Sequence, residues 1–558
     1  MTIEDRLAAL IRAALAMAAP ELGVEGDLPE PQLLVPPKKD FGDFATNVAL
    51  GLAKRAGRPP LEVAHAILAA LPPAPFLERA EVAGPGFLNF FTTDGWLHDA
   101  LREIVDRGVR YGSAQRNGER VQIEFVSANP TGPLTLGHAR NAAIGDALGR
   151  LLDFAGFDVE REYYFNDAGG QMDRFGASVE ARYLRLVGVE AEIPEDGYHG
   201  TYIDDLARQI FEAEGAELAE LAPAERFERL RAEGAERVLA WIGHTLERFG
   251  VRFDAYFKES TLAERGEIVA AIDRLRTAGH IYEAEGATWF RSTAFGDDKD
   301  RVVVRSNGAY TYFGADCAYL IDKFSRGFDH LIYIWGADHH GDVARVRGAA
   351  SALGYAAGSV EMVIYQWVAF LREGKPVPMS KRAGEFITLD ELMDEVGADA
   401  VRFTLLMFSN DSSMNFDIEA VKKQTMENPV YYVQYGHARI ASILRKAEAL
   451  GVVLGPIGDA DLAALTSEAE TDLLRALADV PGQVLSAAVQ REPHHLTHAA
   501  QDVAARFHRF YTDCRVVSDD DALTQARLWL CVGTKQVIAN LLSLVGVSAP
   551  ESMERSDA

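Results

Sequence analysis

The chain has 558 residues, 83 acidic against 56 basic side chains and a formal net charge of −27. That length is too great for one hydrophobic core and implies three or four domains, while the absence of any apolar run of about eighteen residues excludes an apolar membrane-spanning helix. Cys317, Cys514 and Cys531 are too few for a disulfide framework and too scattered for a zinc ribbon, and the N-terminus lacks a basic-then-apolar signal pattern. A cytoplasmic protein with no metal site and no structural zinc is therefore expected. The acidity argues first against a polyanionic partner. Screening nevertheless confines each charge to about 8–10 Å, so local faces such as Arg439, Arg445 and Lys446, or Arg506, Arg509 and Arg515, still count.

Taken in chain order, residues 1–112 begin with Ile3, Leu7, Leu10, Ile11 and Leu15 on one helical face. Mixed strands and helices follow, closing on Phe87-Leu-Asn-Phe-Phe91. An α+β N-terminal domain is predicted there. A second domain, 113–425, opens with the alternating run Val121-Gln-Ile-Glu-Phe-Val126, which reads as a strand. The turn Thr131-Gly-Pro-Leu-Thr-Leu-Gly137-His138 then enters a helix whose Ala143, Ile144, Ala147, Leu148 and Leu151 recur at helical spacing until Gly156. Gly137 admits close backbone approach, the helix N-terminus offers unpaired N–H groups to phosphate, and His138 can add a hydrogen bond or a charge. Alone, the pair is a weak signal that favours a nucleotide site over a tight turn with a polar helix start.

Strand, helix and strand over about 113–170 predict a right-handed βαβ unit in a parallel, Rossmann-type sheet. Residues from about 175 to 290 are rich in Ala, Glu, Arg and Leu and read as a helical insertion. The sheet is expected to resume at Val302-Val-Val304 and Leu331-Ile-Tyr-Ile334. After Met362-Val-Ile-Tyr365 comes the basic loop Lys375-Pro-Val-Pro378-Met379-Ser380-Lys381-Arg382-Ala-Gly384. Cations on a mobile loop suit a departing polyphosphate, although a short charge cluster is also the usual surface turn. Residues 426–558 are almost wholly helical in pattern and read as an α-helical C-terminal bundle.

The Gly-His turn and the basic loop together resemble the two ATP-gripping signatures of class I aminoacyl-tRNA synthetases. Glu124-Phe-Val-Ser127-Ala-Asn129-Pro130, Tyr163-Tyr-Phe-Asn166-Asp167, Thr311-Tyr312-Phe-Gly-Ala-Asp316 and Trp335-Gly-Ala-Asp338-His339-His340 narrow the resemblance to arginyl-tRNA synthetases. Lys38-Lys-Asp-Phe-Gly42, Ala83-Gly-Pro-Gly-Phe87, Glu427-Asn-Pro-Val-Tyr431-Tyr432-Val-Gln434-Tyr435 and Leu544-Val-Gly546-Val-Ser-Ala-Pro550 extend it end to end.

The resemblance implies a ligase that activates L-arginine with ATP and Mg²⁺ and transfers it to tRNA(Arg), with arginine activation waiting for bound tRNA. It implies ATP contacts from Gly137, His138, Asp338, Met379, Ser380 and Lys381. His138, Lys381 and Thr135 are the expected catalytic groups. It gives Tyr312, Asp316 and Glu259 to the guanidinium, Glu124, Ser127 and Asn129 to the amino-acid backbone, and His339 to the substrate. A carboxylate beside an aromatic hydroxyl suits a planar cation, and Tyr312 and Asp316 share a face if their segment is helical. Alternation leaves Glu124 equally able to face solvent. Adjacent histidines on a strand point to opposite faces, so His339 and His340 are not expected to share an ion. The C-terminal bundle would meet the anticodon loop, with Tyr431, Tyr435 and Arg439 facing tRNA, and a monomer is expected.

Two positions depart from the family pattern. Thr135 stands for the first histidine of one signature and Pro378 for the first lysine of the other. A synthetase-like protein that binds tRNA without charging it is therefore the competing reading. A class I enzyme for another amino acid is the third. A cysteinyl enzyme would want zinc ligands, and a glutamyl enzyme would want cations where Asp316 stands.

Overall fold

The computed structural model describes residues 3–377, 379–380 and 385–553, without the side chains of Lys39, Met379, Ser380 and Glu385. Pro378, Lys381, Arg382 and Gly384 lie outside the described residues.

The first helix, Ile3–Leu22, buries Ile3, Leu7, Ile11 and Leu15, the face its apolar spacing predicts. It packs with the helices Val48–Ala56 and Pro60–Ala69 against a four-stranded antiparallel sheet ordered Leu33–Leu34, Phe44–Thr46, Phe87–Thr92, Leu77–Ala83. Helix Gly95–Arg107 leads out of this unit and lies against the C-terminal helices Glu468–Gln490 and Asp521–Leu544.

At the centre stands a five-stranded parallel sheet in the order Val360–Tyr365, His330–Gly336, Arg120–Glu124, Asp158–Phe165, Ala255–Lys258. Arg120–Glu124 is its middle strand, and both of its faces are covered. Gln122 and Glu124 are therefore buried, and the polar alternation does not mark a wet face. The helix Leu136–Phe154 covers this strand so closely that a Cβ on Gly145 would fall 2.2 Å from Cγ of Phe125.

Three helices, Gly170–Leu186, Tyr202–Glu214 and Pro223–Arg248, follow the second sheet strand. Beyond 248 the expected insertion mixes short strands with the helices Ser260–Glu264 and Glu267–Thr277. Ala255–Lys258 returns to the central sheet as its edge, a strand of four residues that is too short to show a period. Val302–Val304 is not part of that sheet. Arg301–Val304 belongs to a separate antiparallel sheet with Ala287–Phe290 and Ile281–Ala284, which packs over its own apolar cluster with the helix Tyr312–Ser325. A short apolar run does not say which sheet it joins.

Beyond the central sheet, Val368–Arg372 pairs in parallel with Met414–Asp417. The helices Leu389–Val396 and Ala398–Leu406 then lead into the bundle Pro429–Ala449, Glu468–Gln490, His494–Asp513 and Asp521–Leu544. One buried arginine joins these parts. Arg402 donates to Asp146 at 2.5 Å, to the carbonyl of Phe249 at 2.9 Å and to that of Val545 at 3.1 Å. Gly546, at φ 68°, is obligatory beside it, because a Cβ there would meet the guanidinium at 2.2 Å. Among the described residues, no helix is long and apolar enough to cross a membrane.

Candidate active site

A cavity of about 720 Å³ opens at the C-terminal ends of Arg120–Glu124, Asp158–Phe165 and His330–Gly336, where open parallel sheets place their ligands. Eight of the residues expected at the site line it: Glu124, Ser127, Gly137, His138, Tyr312, Asp316, Asp338 and His339.

The loop leaving the middle strand is strained. Val126 at φ 63° and Ser127 at φ 42° hold left-handed backbone that a β-branched residue rarely adopts. Asn141, from the helix Leu136–Phe154, holds it there, accepting the Val126 N–H at 2.6 Å and donating to the Ile334 carbonyl at 2.9 Å. The helix start is thus tied to the ends of two strands. It is also bridged to the segment after the basic loop. Leu389 N–H donates to the Leu134 carbonyl at 2.9 Å, and Thr135 pairs with Thr388.

Thr135 is buried and caps this helix instead of lining the cavity. Its N–H donates to Nδ1 of His138 at 3.1 Å, and its hydroxyl lies 3.1 Å from the same nitrogen. With Nδ1 accepting, a neutral His138 carries its proton on Nε2. Thr135 consequently acts on the cavity through the orientation of His138, a role its replacement of histidine does not announce.

The opposite end of the cavity is acidic. The helix Tyr312–Ser325 puts Tyr312 and Asp316 one turn apart on one face, as helical spacing requires. Burial, with the carboxylates of Glu259 and Glu124, pushes the Asp316 acid up to about 7. Glu259 does not line the cavity directly. It bonds the hydroxyl of Tyr164, which does, and burial raises its acid as well. Glu124 accepts from Lys323 at 2.6 Å and from the Ser127 hydroxyl at 3.3 Å. Ser127 Oγ in turn accepts the Tyr164 N–H at 3.2 Å. Glu124 is paired with Lys323, whereas Asp316 and Glu259 form no ion pair among the described residues. Arg345 is the cation that acts on Asp316, so a planar cation would find positive charge in deficit here.

Asn129 is set back from the cavity. It accepts the Asn166 N–H at 3.0 Å and donates to Gln171 at 2.7 Å, binding two of the resemblance's blocks together. Asp338, His339 and His340 occupy a 3-10 turn, Ala337–Asp342, so the strand argument against a shared ion does not apply to them. His339 lies 3.3 Å from Asp342, which pairs with Arg345, and His340 is not among the cavity's lining residues. Elsewhere, Glu492, His494 and His495 bring ligand atoms within 4.8 Å of one another, a grouping that the expectation of no metal site did not foresee. Glu492 and His495 already satisfy each other at 3.0 Å.

In the bundle, Tyr431 is buried and offers no open stacking face, which removes it from the expected tRNA-facing set. Its ring stacks on Tyr435 at 6.0 Å, one helical turn on. Tyr435 and Arg439 are partly exposed. Arg439 donates to the Tyr435 hydroxyl at 2.7 Å and lies over Tyr511 at 4.5 Å. Arg506 and Arg509 pair with Asp502 and Asp472, so much of the basic face is internally neutralised.

Sequence reasoning missed Asn141, Tyr164, Asp342, Arg345 and Trp367, all of which line the cavity. Asn141 lies one helical turn after His138 and could have been suspected from its place. Tyr164 sits in one of the blocks that carry the resemblance, and Asp342, Arg345 and Trp367 come from segments brought in by the sheet order.

A parallel sheet with its cavity at the strand ends, a Gly-His helix start and an appended helical bundle define a class I aminoacyl-tRNA synthetase. A methionyl-tRNA synthetase from Mycobacterium tuberculosis shares the fold, with a TM-score of 0.54 at 13% identity over 76% of this chain and 91% of its own. Family models match residues 5–92 (arginyl tRNA synthetase N terminal domain), 100–443 (tRNA synthetases class I (R), catalytic domain) and 433–553 (DALR anticodon binding domain). The chain is 46% identical over 99% of both chains to an arginine–tRNA ligase of Desulforamulus reducens, and 47% identical over 98% of both to that of Moorella thermoacetica. The arginyl-tRNA synthetase of Thermus thermophilus superposes with a TM-score of 0.75 at 26% identity, covering 98% of this chain and all of that one. The chain belongs to the arginyl-tRNA synthetase family, and it is a ligase that attaches arginine to tRNA.

Proposed function

We propose that this cavity performs both steps of that ligation. The carboxylate of arginine attacks the α-phosphorus of ATP, giving arginyl-adenylate and pyrophosphate. The terminal ribose 2′-hydroxyl of tRNA(Arg) then attacks the adenylate carbonyl, and AMP leaves. Neither step needs a protein nucleophile, so the chain contributes position and charge.

The observation that carries this reading is the polarity of the cavity. Tyr312 and Asp316, backed by Glu259, stand at the end suited to a guanidinium, and Gly137 and His138 stand at the end suited to phosphate. Glu124 and Ser127 flank the place left for the amino-acid backbone, with Asn129 shaping the wall behind and His339 at the rim. Met379, Ser380 and Lys381 are proposed to close over the phosphates. Mg²⁺ needs oxygen donors and keeps most of its waters, and the exposed carboxylate of Asp338 at the phosphate end fits that requirement. When bound, the ion would neutralise charge on the departing pyrophosphate.

The three-part division, 1–112, 113–425 and 426–558, is proposed on the same footing, with Tyr435 and Arg439 facing tRNA and the monomer as the cytoplasmic working form. Charging total tRNA with each amino acid in turn, in the presence of ATP and Mg²⁺, tests the function. Arginine alone should be attached. A folded protein that binds tRNA and attaches nothing would move the reading to the non-charging alternative, with Thr135 and Pro378 as its cause.

A further inference from the structure

The turn between the bundle helices Glu468–Gln490 and His494–Asp513 gathers three side chains of metal-ligating type. Glu492, His494 and His495 each offer one donor atom, and these atoms lie within 4.8 Å of one another. Oε2 of Glu492 stands 3.0 Å from Nε2 of His495 and 3.9 Å from Nε2 of His494. Two donors on one tetrahedral zinc ion are separated by about 3.3 Å, so small side-chain rotations bring all three onto a common centre.

Hydrogen bonding does not exhaust these groups. Nε2 of His495 also lies 3.2 Å from Oε1 of Gln490, so two acceptors compete for a single ring hydrogen. The side chain of His494 is only 12% exposed, and its Nδ1 is buried with no hydrogen-bond partner among the described residues.

A second observation points to a cation. A cavity of about 660 Å³ beside the turn is lined by Glu4, Asp5, Asp479 and Asp502 together with His495 and His498. Among the described residues no lysine or arginine lines it, although Asp502 pairs with Arg506. Burial and the neighbouring Glu4 push the Asp479 acid up to about 6. A cavity of one charge sign concentrates counter-ions, and this one would deliver them to His495.

The frame that carries the donors is fixed. Glu492 N–H donates to the Ala487 carbonyl at 3.0 Å, and the Arg491 carbonyl accepts from Asn410 at 3.1 Å. The Arg491 guanidinium reaches Glu361 of the central sheet at 3.2 Å.

We propose that Glu492, His494 and His495 form a binding site for a divalent transition metal of the zinc class, at the turn that fastens the bundle to the catalytic domain. Two imidazoles and a carboxylate suit zinc better than Mg²⁺ and leave a fourth position for water. The ion takes the place of the hydrogen between Glu492 and His495, which is released to solvent. The cysteine count is silent on such a site, because its donors are imidazole and carboxylate.

Chelator-treated, tag-free full-length protein is titrated calorimetrically with ZnCl₂ while Mg²⁺ is held in large excess. The wild type should bind one equivalent saturably. Glu492→Gln, His494→Ala and His495→Ala, each checked by circular dichroism, should weaken that binding by at least about 10–100-fold, the cost of losing even an outer partner of a metal. Glu492→Gln keeps the size and polarity of the turn, so it carries the test if a histidine variant fails to fold. No saturable binding in the wild type, or one equivalent bound undiminished by these variants, overturns the proposal.

The thermal midpoint and the visible spectrum with Co²⁺ give readouts independent of arginine transfer. Zinc should raise the midpoint of the wild type and not of the variants, since a ligand that binds only the folded state stabilises it. Cobalt should show the absorption of a four-coordinate ion in the wild type alone. Equal midpoint shifts, or equal spectra, in wild type and variants would place the metal elsewhere and sink the site.

Discussion

Asp316 shows how one residue's surroundings convert a common acid into a selective one. Its carboxyl is raised from an ordinary value near 3.8 to about 7 by burial and by Glu259 and Glu124. An acid raised in the folded state binds more protons there than in the unfolded chain between those two values. Its contribution to stability is therefore greatest below about 4 and declines as pH rises through 7, where the empty protein must hold an unwelcome charge. A bound guanidinium cancels that charge. Arginine should accordingly raise the thermal midpoint more at pH 8 than at pH 6, and equal shifts at both would show that Asp316 does not meet the ligand. In Asp316→Asn the pH dependence should vanish and the KM for arginine should rise by about 10²-fold, the scale of removing one partner of a charged hydrogen bond.

At the level of elements, the helix Leu136–Phe154 is the part that the site most depends on. Its N-terminus is capped by Thr135, bridged to Thr388 and tied through Asn141 to two strand ends. Its middle rests on Phe125 through Gly145. Gly145→Ala forces a methyl into a ring at 2.2 Å, and overpacking of that kind costs about 1–3 kcal/mol. The variant should lose several degrees of thermal midpoint. Because Phe125 precedes the strained Val126-Ser127 turn, it should also lose kcat. A variant with wild-type midpoint and rate would show that the helix can shift without cost.

Across the whole molecule, the bundle and the cavity are joined through backbone carbonyls. Asn410 donates to the Arg491 carbonyl at 3.1 Å in the turn between two bundle helices, while its own carbonyl accepts the Gln366 N–H at 2.9 Å beside Trp367. ATP–pyrophosphate exchange should therefore be faster with tRNA(Arg) bound than without it, and equal rates would remove the coupling. Arg402 carries the larger mechanical load. Its replacement by Met leaves two carbonyls and part of Asp146 unpaired in the interior, and losing one partner of a buried charged pair costs about 3–5 kcal/mol. The expected sign is early proteolytic cleavage near 545 at temperatures where the wild type resists. A protease map identical to the wild type's would discount the joint.

What the chain determines by itself are the features written in local periods and fixed spacings. The first helix, the Gly-His helix start, the helical face shared by Tyr312 and Asp316 and the helical character of the bundle all follow from side chains a few residues apart. Such neighbours meet through backbone geometry alone. What only the tertiary structure decided is which distant segments share a wall. Glu124 is buried because both faces of its central strand are covered. Val302–Val304 joins a second sheet, and Tyr431 turns into the core. Trp367 stands at the cavity because Arg140 and Asn410 hold the backbone of Gln366 just before it. Those placements depend on strand order and on buried donors finding carbonyls hundreds of residues away, and no local period carries that information.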